Sequence, residues 1–110
     1  MIVLLFSTVP RNDRVRAEYE EMKRAMRALA EDVPGFVGWN EYPEADGGTF
    51  GLLRFESEAA LAAWRDHPDH LEIHRRGVDD VYASYRVEVC EVVRDASFSW
   101  REPEASVGPS

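Results

Sequence analysis

The amino-acid sequence predicts one α+β domain built around a single antiparallel sheet. An apolar β-branched run opens the chain, a long apolar stripe of helical period follows it, and two further strand segments flank a clear turn. With a second helical region and a last strand, the order is strand, helix, strand, strand, helix, strand. This is the ferredoxin-like β-α-β-β-α-β unit, whose two helices cover one face of four strands. A chain of 110 residues supports one such domain.

The first strand is predicted from Ile2 to Val9 and is ended by Pro10. Its continuous apolar character indicates burial on both faces. Alternation places Ser7 on one face of the strand as the only polar side chain there. Ser7 is therefore a candidate for substrate binding, although a hydroxyl bonded to nearby backbone is the commoner explanation.

The first helix is predicted to begin near Asn12 and Asp13, two residue types that cap helices, and to end near Ala30. Its apolar positions recur at spacings of 4, 3, 4 and 3, which defines one face of a helix. The stripe comprises Val15, Tyr19, Met22, Met26 and Leu29. We interpret these residues as core.

A hairpin is predicted from Phe36–Tyr42 and Thr49–Glu56, joined by a turn at Asp46-Gly47-Gly48. Gly38 lies inside the first of these strands. A glycine there indicates a bulge or a close approach of another part of the chain.

The segment Ser57–Arg76 predicts two short helices separated by a break. Ser57 is a plausible N-cap, and Pro68 suits the first turn of a new helix because it has no N–H to donate. Trp64 and His74 then belong to consecutive helices that can direct an indole and an imidazole into the same space. We interpret this segment as the part of the chain that carries the candidate active site.

The last strand is predicted over Tyr85–Arg94, with Tyr85, Val87, Val89 and Val93 on one face. Tyr82, Tyr85 and Arg86 lie at its start, where phenol and guanidinium groups could orient a phenolate or a carboxylate. Arg86 could instead pair with a surface acid. The composition then shifts to Pro, Ser, Gly and Glu. We therefore divide the chain into a folded domain, residues 1–98, and a C-terminal tail, residues 99–110.

The second face of the predicted sheet needs a cover. If the Ser7 side of the first strand faces the helices, then Ile2, Leu4 and Phe6 lie on the opposite face. An exposed apolar sheet face is typical of an interface. We expect a second copy of the chain to cover it, which makes the protein a homodimer.

The composition restricts the partners. The formal net charge of −8 opposes binding to nucleic acid or to an anionic membrane surface. The apolar start of the chain lacks a basic n-region and a cleavage site, so we expect neither a signal peptide nor a membrane span and assign the protein to the cytoplasm. The single cysteine, Cys90, excludes an internal disulfide.

Three histidines lie close together in the sequence at His67, His70 and His74. Their spacing would place two of them on one helix face, which suggests zinc. However, Pro68 interrupts the helix between the first two, and no HExxH or CxxC pattern is present. We therefore expect no metal site.

Several segments resemble the antibiotic-biosynthesis-monooxygenase (ABM) superfamily. They are Pro34-Gly35-Phe36, Phe55-Glu56-Ser57-Glu58, and the run AAWRDHPDHLEIHRRG followed by YASYRVEVCEVVRD. The resemblance extends to about Phe98 and depends on the order and spacing of these segments. It implies a dimeric α+β barrel made by two ferredoxin-like protomers. It also implies oxygenation without flavin or a permanently bound metal, acting on polyketide phenols, quinols or haem.

The resemblance transfers site residues only in part. In polyketide oxygenases an asparagine precedes the helix tryptophan by one turn; Trp64 matches the tryptophan, but the asparagine position is Ala60. Haem-degrading members combine a first-strand asparagine, a helix tryptophan and a histidine ten residues later. Trp64 and His74 have that spacing, whereas Ser7 occupies roughly the asparagine position.

The resemblance leads to one preferred function and two alternatives. We expect a monooxygenase without a cofactor that reacts an aromatic or polycyclic small molecule with O₂. Trp64 would wall the pocket, His70 or His74 would accept a proton, and Arg86 would stabilise the substrate anion. Ser7, Tyr82 and Tyr85 would contact the substrate. The alternatives are haem binding and degradation through His74, and a non-catalytic dimer that binds a small ligand.

Overall fold

The computed structural model describes residues 1–103, which form one antiparallel sheet with the helices on one face. Short 3₁₀ and π-helical turns, Asp13–Val15 and Gly77–Val81, precede the first helix and the last strand. The elements in chain order are β1 Ile2–Pro10, α1 Arg16–Glu31, β2 Phe36–Pro43, β3 Thr49–Phe55, α2 Glu58–Arg65, α3 Pro68–Arg76 and β4 Tyr82–Glu91.

The sheet confirms the predicted fold class. Its four strands lie in the order β2-β3-β1-β4, and each neighbouring pair is antiparallel. β1 is therefore a central strand, paired with β3 on one side and with β4 on the other. The main chain of β1 is therefore hydrogen-bonded along both of its edges.

The core lies between the sheet and the helices. Leu53 and Phe55 of β3 have no exposed surface, and Leu4 of β1 packs beside them. Met26 of α1 and Leu61 of α2 cover them from the helical side. Tyr19, Met22 and Met26 of the predicted stripe are buried, so the interpretation of that stripe as core is confirmed.

The face of β1 that meets the helices is the opposite of the one considered from the sequence. Ile2 and Leu4 are buried in the core beneath the helices, so they do not lie on the uncovered face. Because neighbouring side chains of a strand point to opposite faces, Leu5 and Ser7 belong to the uncovered face. The register pairs Ser7 with Phe50 on one side and with Arg86 on the other.

The predicted bulge lies next to Gly38. The register of β2 against β3 shifts between Phe36 and Gly38, so that Val37 is the extra residue. Phe36 consequently lies on the same side as Trp39, and its ring contacts that of Phe55 at a centroid distance of 5.7 Å. Simple alternation along β2 had placed Phe36 and Trp39 on opposite faces.

The last strand begins and ends three residues earlier than predicted, at Tyr82 and Glu91. The π-helical turn before it is held by Arg11, whose guanidinium donates to the carbonyl oxygens of Val78 and Tyr82 at 2.8 and 3.0 Å. A π-helical turn is rare and often lies beside a functional site. Here it delivers Tyr82 to the helical face of the sheet.

Residues 92–103 form no helix or strand and expose the side chains of Val93, Phe98 and Trp100. The predicted tail, residues 99–110, thus begins in this segment, and its last part, residues 104–110, lies outside the described residues. The boundary after residue 98 stays a prediction. In the part of the chain from residue 1 to residue 103, no helix is both long and apolar enough to cross a membrane.

We predict that Gly51→Ala destabilises the protein by about 1–3 kcal/mol, the usual cost of overpacking. A Cβ at Gly51 would fall within the ring of Phe6 on the neighbouring strand, so that the ring must move. Chemical denaturation measures the change. Gly38→Ala is the matched control, because nothing lies within 4 Å of the Cβ position there. Equal effects of the two substitutions would contradict the prediction.

Candidate functional site

A largely apolar cavity of about 320 Å³ lies between the sheet and the helices. Its walls come from β1, β2 and β4 on one side and from all three helices on the other. The lining residues are Leu4, Phe6, Thr8, Lys23, Met26, Trp39, Leu61, Trp64, Arg65, His70, Leu71, His74, Tyr82, Tyr85, Val87 and Val89. Five of the seven residues predicted for the site are among them: Trp64, His70, His74, Tyr82 and Tyr85.

The break between α2 and α3 positions the cavity's helical wall. Ser57 caps α2 by accepting a hydrogen bond from the N–H of Ala60 at 3.1 Å, as predicted. His67 caps α3, where its Nδ1 accepts from the N–H of Asp69 at 3.0 Å, and Pro68 occupies the first turn. α2 therefore ends just after Trp64, and α3 carries His70 and His74 to the same cavity.

Trp64 is a fixed wall of the cavity. Its side chain is 5% exposed, and its Nε1–H donates to the main-chain oxygen of Met26 at 3.0 Å. This bond ties α2 to α1. Because an indole has a single N–H, Trp64 has no donor left for a ligand. Its ring is edge-on to His70 at a centroid distance of 4.2 Å, so the indole also orients the imidazole.

His70 is neutral at pH 7. Burial, with a smaller contribution from the neighbouring His74, lowers the pKa of its imidazole to about 4. Its Nδ1 is buried and has no hydrogen-bond partner among residues 1–103. A neutral imidazole keeps one nitrogen as an acceptor and the other as a donor. His70 is thus able to exchange hydrogen bonds with a hydroxyl group inside the cavity.

A row of rings continues from His70 toward β4. The His70 and His74 rings are nearly parallel, with centroids 6.4 Å apart, and His74 meets Tyr85 edge-on at 5.0 Å. Tyr82 lies beyond Tyr85 at 6.3 Å. Burial raises the pKa of Tyr82 to about 12, with a smaller contribution from Tyr19, so its phenol stays protonated near neutral pH. The row presents flat aromatic surfaces with polar edges to a ligand.

A polar network that the sequence analysis did not identify borders the cavity. The hydroxyl of Tyr19 lies 2.7 Å from Thr8 Oγ1 and 2.9 Å from Thr49 Oγ1, and Lys23 Nζ donates to Thr49 Oγ1 at 2.8 Å. Glu20 pairs with Lys23 at 3.0 Å. No local pattern indicates this network, because Tyr19 belongs to the apolar stripe and Lys23 follows the buried Met22. Only the assembled fold brings α1 and β3 together here.

Trp39 was also missed as a lining residue. The sequence did not indicate its role, because the bulge that turns it toward Trp64 cannot be located from alternation alone. In the structure it is 7% exposed and edge-on to Trp64 at a centroid distance of 6.1 Å. Its Nε1–H is buried and has no acceptor among the described residues.

Ser7 and Arg86 do not reach the cavity. They pair in register on adjacent strands, and Phe6 and Val87, their neighbours in sequence, line the cavity from the opposite face of the sheet. The Arg86 guanidinium instead donates to Glu88 at 3.3 Å. Ser7 and Arg86 therefore lie outside this cavity, because side chains alternate along a strand. Their roles in substrate contact and anion stabilisation stay predictions.

The three histidines also differ in their surroundings. His67 is exposed and its Nδ1 is used in the cap of α3, whereas His70 and His74 line the cavity. In the portion from Met1 to Pro103, no three His, Cys, Asp or Glu side chains are arranged to hold a metal ion.

The fold and the cavity define a class of small α+β proteins in which a ferredoxin-like sheet and its helices enclose an aromatic-walled pocket. Within that class, the family model for antibiotic biosynthesis monooxygenases matches residues 1–76. YqjZ of Bacillus subtilis (strain 168), an uncharacterised protein, is 36% identical over 80 residues, which cover 73% of this chain and 70% of YqjZ. The chain belongs to the antibiotic biosynthesis monooxygenase family.

Solved structures share the fold at low sequence identity. Rv0793 from Mycobacterium tuberculosis superposes with a TM-score of 0.75 at 21% identity, covering 87% of this chain and 98% of that protein. SnoaB from Streptomyces nogalater, described as a cofactor-independent oxygenase, gives a TM-score of 0.71 at 14% identity, covering 86% of this chain and 94% of SnoaB. At these identities the likeness establishes the fold.

We predict that the stability of the protein falls as the pH is lowered from about 6.5 to about 4 because of His70. In this interval the unfolded chain binds a proton on the imidazole and the folded chain does not, so protons favour unfolding. Each pKa unit corresponds to about 1.36 kcal/mol, and partial solvent screening of the ring reduces the expected loss to about 1–2 kcal/mol.

Urea denaturation at pH 7 and pH 4.5 measures this loss. His70→Asn should flatten the pH dependence. His67→Asn is the control, because asparagine retains the N-cap and the exposed His67 imidazole makes no buried contact. If His70→Asn and His67→Asn both lose as much stability between pH 7 and pH 4.5 as the unsubstituted protein does, His70 does not control the pH dependence.

Proposed function

We propose that this protein is a cofactor-independent monooxygenase that oxidises an electron-rich aromatic or polycyclic molecule, of the polyketide-phenol or quinol type, with O₂. The observation that carries the proposal is the cavity itself, in which the indoles of Trp39 and Trp64 adjoin the imidazoles of His70 and His74. Membership of the family and the fold shared with SnoaB support it.

The proposed reaction needs no external reductant. Removal of a proton from a ring CH₂ activated by an adjacent carbonyl leaves an anion, which transfers one electron to O₂. The resulting radical and superoxide combine to form a C–O bond, and protonation gives a hydroperoxide. Loss of water then breaks the O–O bond, removes the second hydrogen from that carbon and leaves a carbonyl. The four electrons that reduce O₂ all come from the oxidation of CH₂ to C=O.

The lining residues supply three contributions to this reaction. The indole of Trp64 and the ring of Phe6 hold a flat substrate in a dry space, where its anion is not stabilised by water. His74 is the proposed proton acceptor, and the neutral His70 orients a substrate hydroxyl. Lys23 replaces Arg86 as the proposed source of positive charge, since its side chain is 14% exposed and borders the cavity.

Haem is a less well supported ligand. Of the three elements in the haem-degrading pattern, Trp64 and His74 line the cavity, but Ser7 lies on the opposite face of the sheet. The Nε1–H of Trp64 is bonded to Met26 and is not free to contact a ligand. The polar group expected opposite the histidine therefore does not lie in this cavity, and the lining fits haem less well than a smaller planar molecule. A non-catalytic ligand-binding protein remains the alternative that experiment must separate from the enzyme.

We further propose that the protein is a cytoplasmic homodimer formed through the uncovered face of the sheet. No helix among the described residues covers that face, where Leu5 and Leu52 are register partners and only half-buried. Phe50 and Val9 extend the apolar surface. A second copy is complementary to it, because a two-fold axis would bring the same apolar strip of each sheet together.

The activity is tested with dithranol, an anthrone with a reactive ring CH₂ between two phenolic rings. We predict that the protein accelerates O₂ uptake above the buffer rate and forms 1,8-dihydroxyanthraquinone with one O₂ consumed per substrate. His74→Ala should lower kcat by roughly 100-fold or more, the usual contribution of a positioned acid–base group. An oxygen electrode and product absorbance measure both quantities.

His67→Asn is the control for the activity test, because His67 lies outside the cavity. An uptake rate equal to that of buffer, in protein that binds dithranol, would assign the cavity to ligand binding without catalysis. A full rate in His74→Ala would show that another group takes the proton.

For the dimer, sedimentation equilibrium at micromolar concentration should give about twice the chain mass of 12.6 kDa. Leu52→Lys should shift the protein toward the monomer, because it places a charge in the centre of the apolar face. Val78→Lys, at an exposed position on the π-helical turn, should leave the dimer intact. A monomeric unsubstituted protein would rule out this assembly.

A further inference from the structure

The two indoles of the cavity differ in how their N–H groups are used. The Nε1–H of Trp64 is fully engaged by the Met26 carbonyl at 3.0 Å. The Nε1–H of Trp39 is equally buried, yet no acceptor lies within hydrogen-bond distance among residues 1–103. An indole nitrogen is only ever a donor, so no rotation or change of protonation provides Trp39 with a partner.

The surroundings of Trp39 prevent it from turning out to water. Its ring packs against Phe6 at a centroid distance of 5.6 Å and against Trp64 at 6.1 Å, and its side chain is 7% exposed. Its position is also fixed by the main chain, because it pairs with Leu53 immediately after the bulge in β2. The donor is thus held among apolar rings with almost no accessible surface, so a ligand oxygen reaches it by displacing a neighbouring ring such as that of the half-buried Phe6.

We propose that the Nε1–H of Trp39 determines ligand specificity by donating a hydrogen bond to an oxygen of the bound ligand. The oxygen is a ring carbonyl or a phenolate, carried at the edge of a planar aromatic molecule. This proposal rests on the assignment of the cavity as the substrate site. A buried donor without a partner disfavours hydrocarbons, because they leave it unsatisfied, and favours ligands that bring an acceptor.

Trp39 and His70 make complementary contributions to this selection. Trp39 can bond only to an acceptor, whereas the neutral His70 can bond to a hydroxyl through its own acceptor nitrogen. Trp64 lies between them, edge-on to both rings. A planar molecule with a carbonyl on one edge and a hydroxyl on another therefore satisfies both polar groups while its faces contact aromatic walls.

The proposal is tested by binding a matched pair of probes, 9-fluorenone and fluorene. They share one planar skeleton and differ only in a carbonyl replacing a CH₂. The chain has three tryptophans, so a ¹⁵N–¹H spectrum shows three indole N–H signals, which single Trp→Phe variants assign. We expect 9-fluorenone to move the Trp39 signal downfield by more than fluorene does, while the signal of Trp64 moves equally with both probes.

Affinity provides an independent measurement. Trp39→Phe retains an aromatic ring but removes the donor together with part of the indole, so it should weaken the binding of 9-fluorenone by roughly two- to tenfold, and fluorene reports the part of this loss that is due to packing. The affinity for fluorene should stay within about twofold. Trp100→Phe, in the exposed C-terminal segment, is the control and should change neither affinity. If Trp39→Phe does not fold, the shift of the Trp39 signal in the unsubstituted protein still decides the question.

Two results would overturn the proposal. In one, both probes shift the Trp39 signal to the same extent, as expected if a water molecule bonds to this N–H in each complex. In the other, Trp39→Phe weakens both probes equally, as expected of a packing role. Both results are independent of catalysis. If the protein distinguishes the two probes but does not accelerate O₂ uptake, the role of Trp39 stands and the monooxygenase proposal fails. If it accelerates O₂ uptake but does not distinguish the probes, the monooxygenase proposal stands and the role of Trp39 fails.

Discussion

The alternation of side chains along β1 is the constraint on which the molecule depends. β1 is paired on both edges, so its register with β3 and with β4 is fixed at the same time. Even-numbered residues from Ile2 to Thr8 face the helices and supply core and cavity wall. Odd-numbered residues form the uncovered face. A slip of one residue would exchange the two surfaces and would destroy the cavity and the proposed interface together.

Two titratable groups of the cavity, His70 and Tyr82, are held in their neutral forms. Burial lowers the pKa of His70 and raises that of Tyr82, two opposite shifts with one cause, which is removal of the charged form from water. Lys23 borders the same cavity and pairs with Glu20. A substrate anion would thus meet the positive charge of Lys23 at the border, while His70 and Tyr82 would add no charge of their own.

The sequence predicted the element order, the helix break at Pro68 and most of the cavity, because these depend on local signals. Trp64 and His74 are placed by helical period and by a proline, both readable from neighbouring residues. Ser7 and Arg86 were expected at the cavity but lie on the opposite face of the sheet. The sequence does not say which face of the sheet the helices cover when both faces of β1 are apolar. Trp39 and Lys23 were missed because their roles depend on a bulge and on contacts between α1 and β3, which no local pattern encodes.

Phe6 and Gly51 illustrate how the depth of the cavity is set. The ring of Phe6 lies across the position that a side chain at residue 51 would occupy, so one residue fills the space that the other leaves. The two positions form a size-complementary pair. A relative that accommodates a wider ligand by shortening residue 6 is then free to carry a larger residue at 51, and substitutions at these sites should arise together. The shape of the cavity at this point therefore depends on residues 6 and 51 together, and the two positions are expected to evolve together.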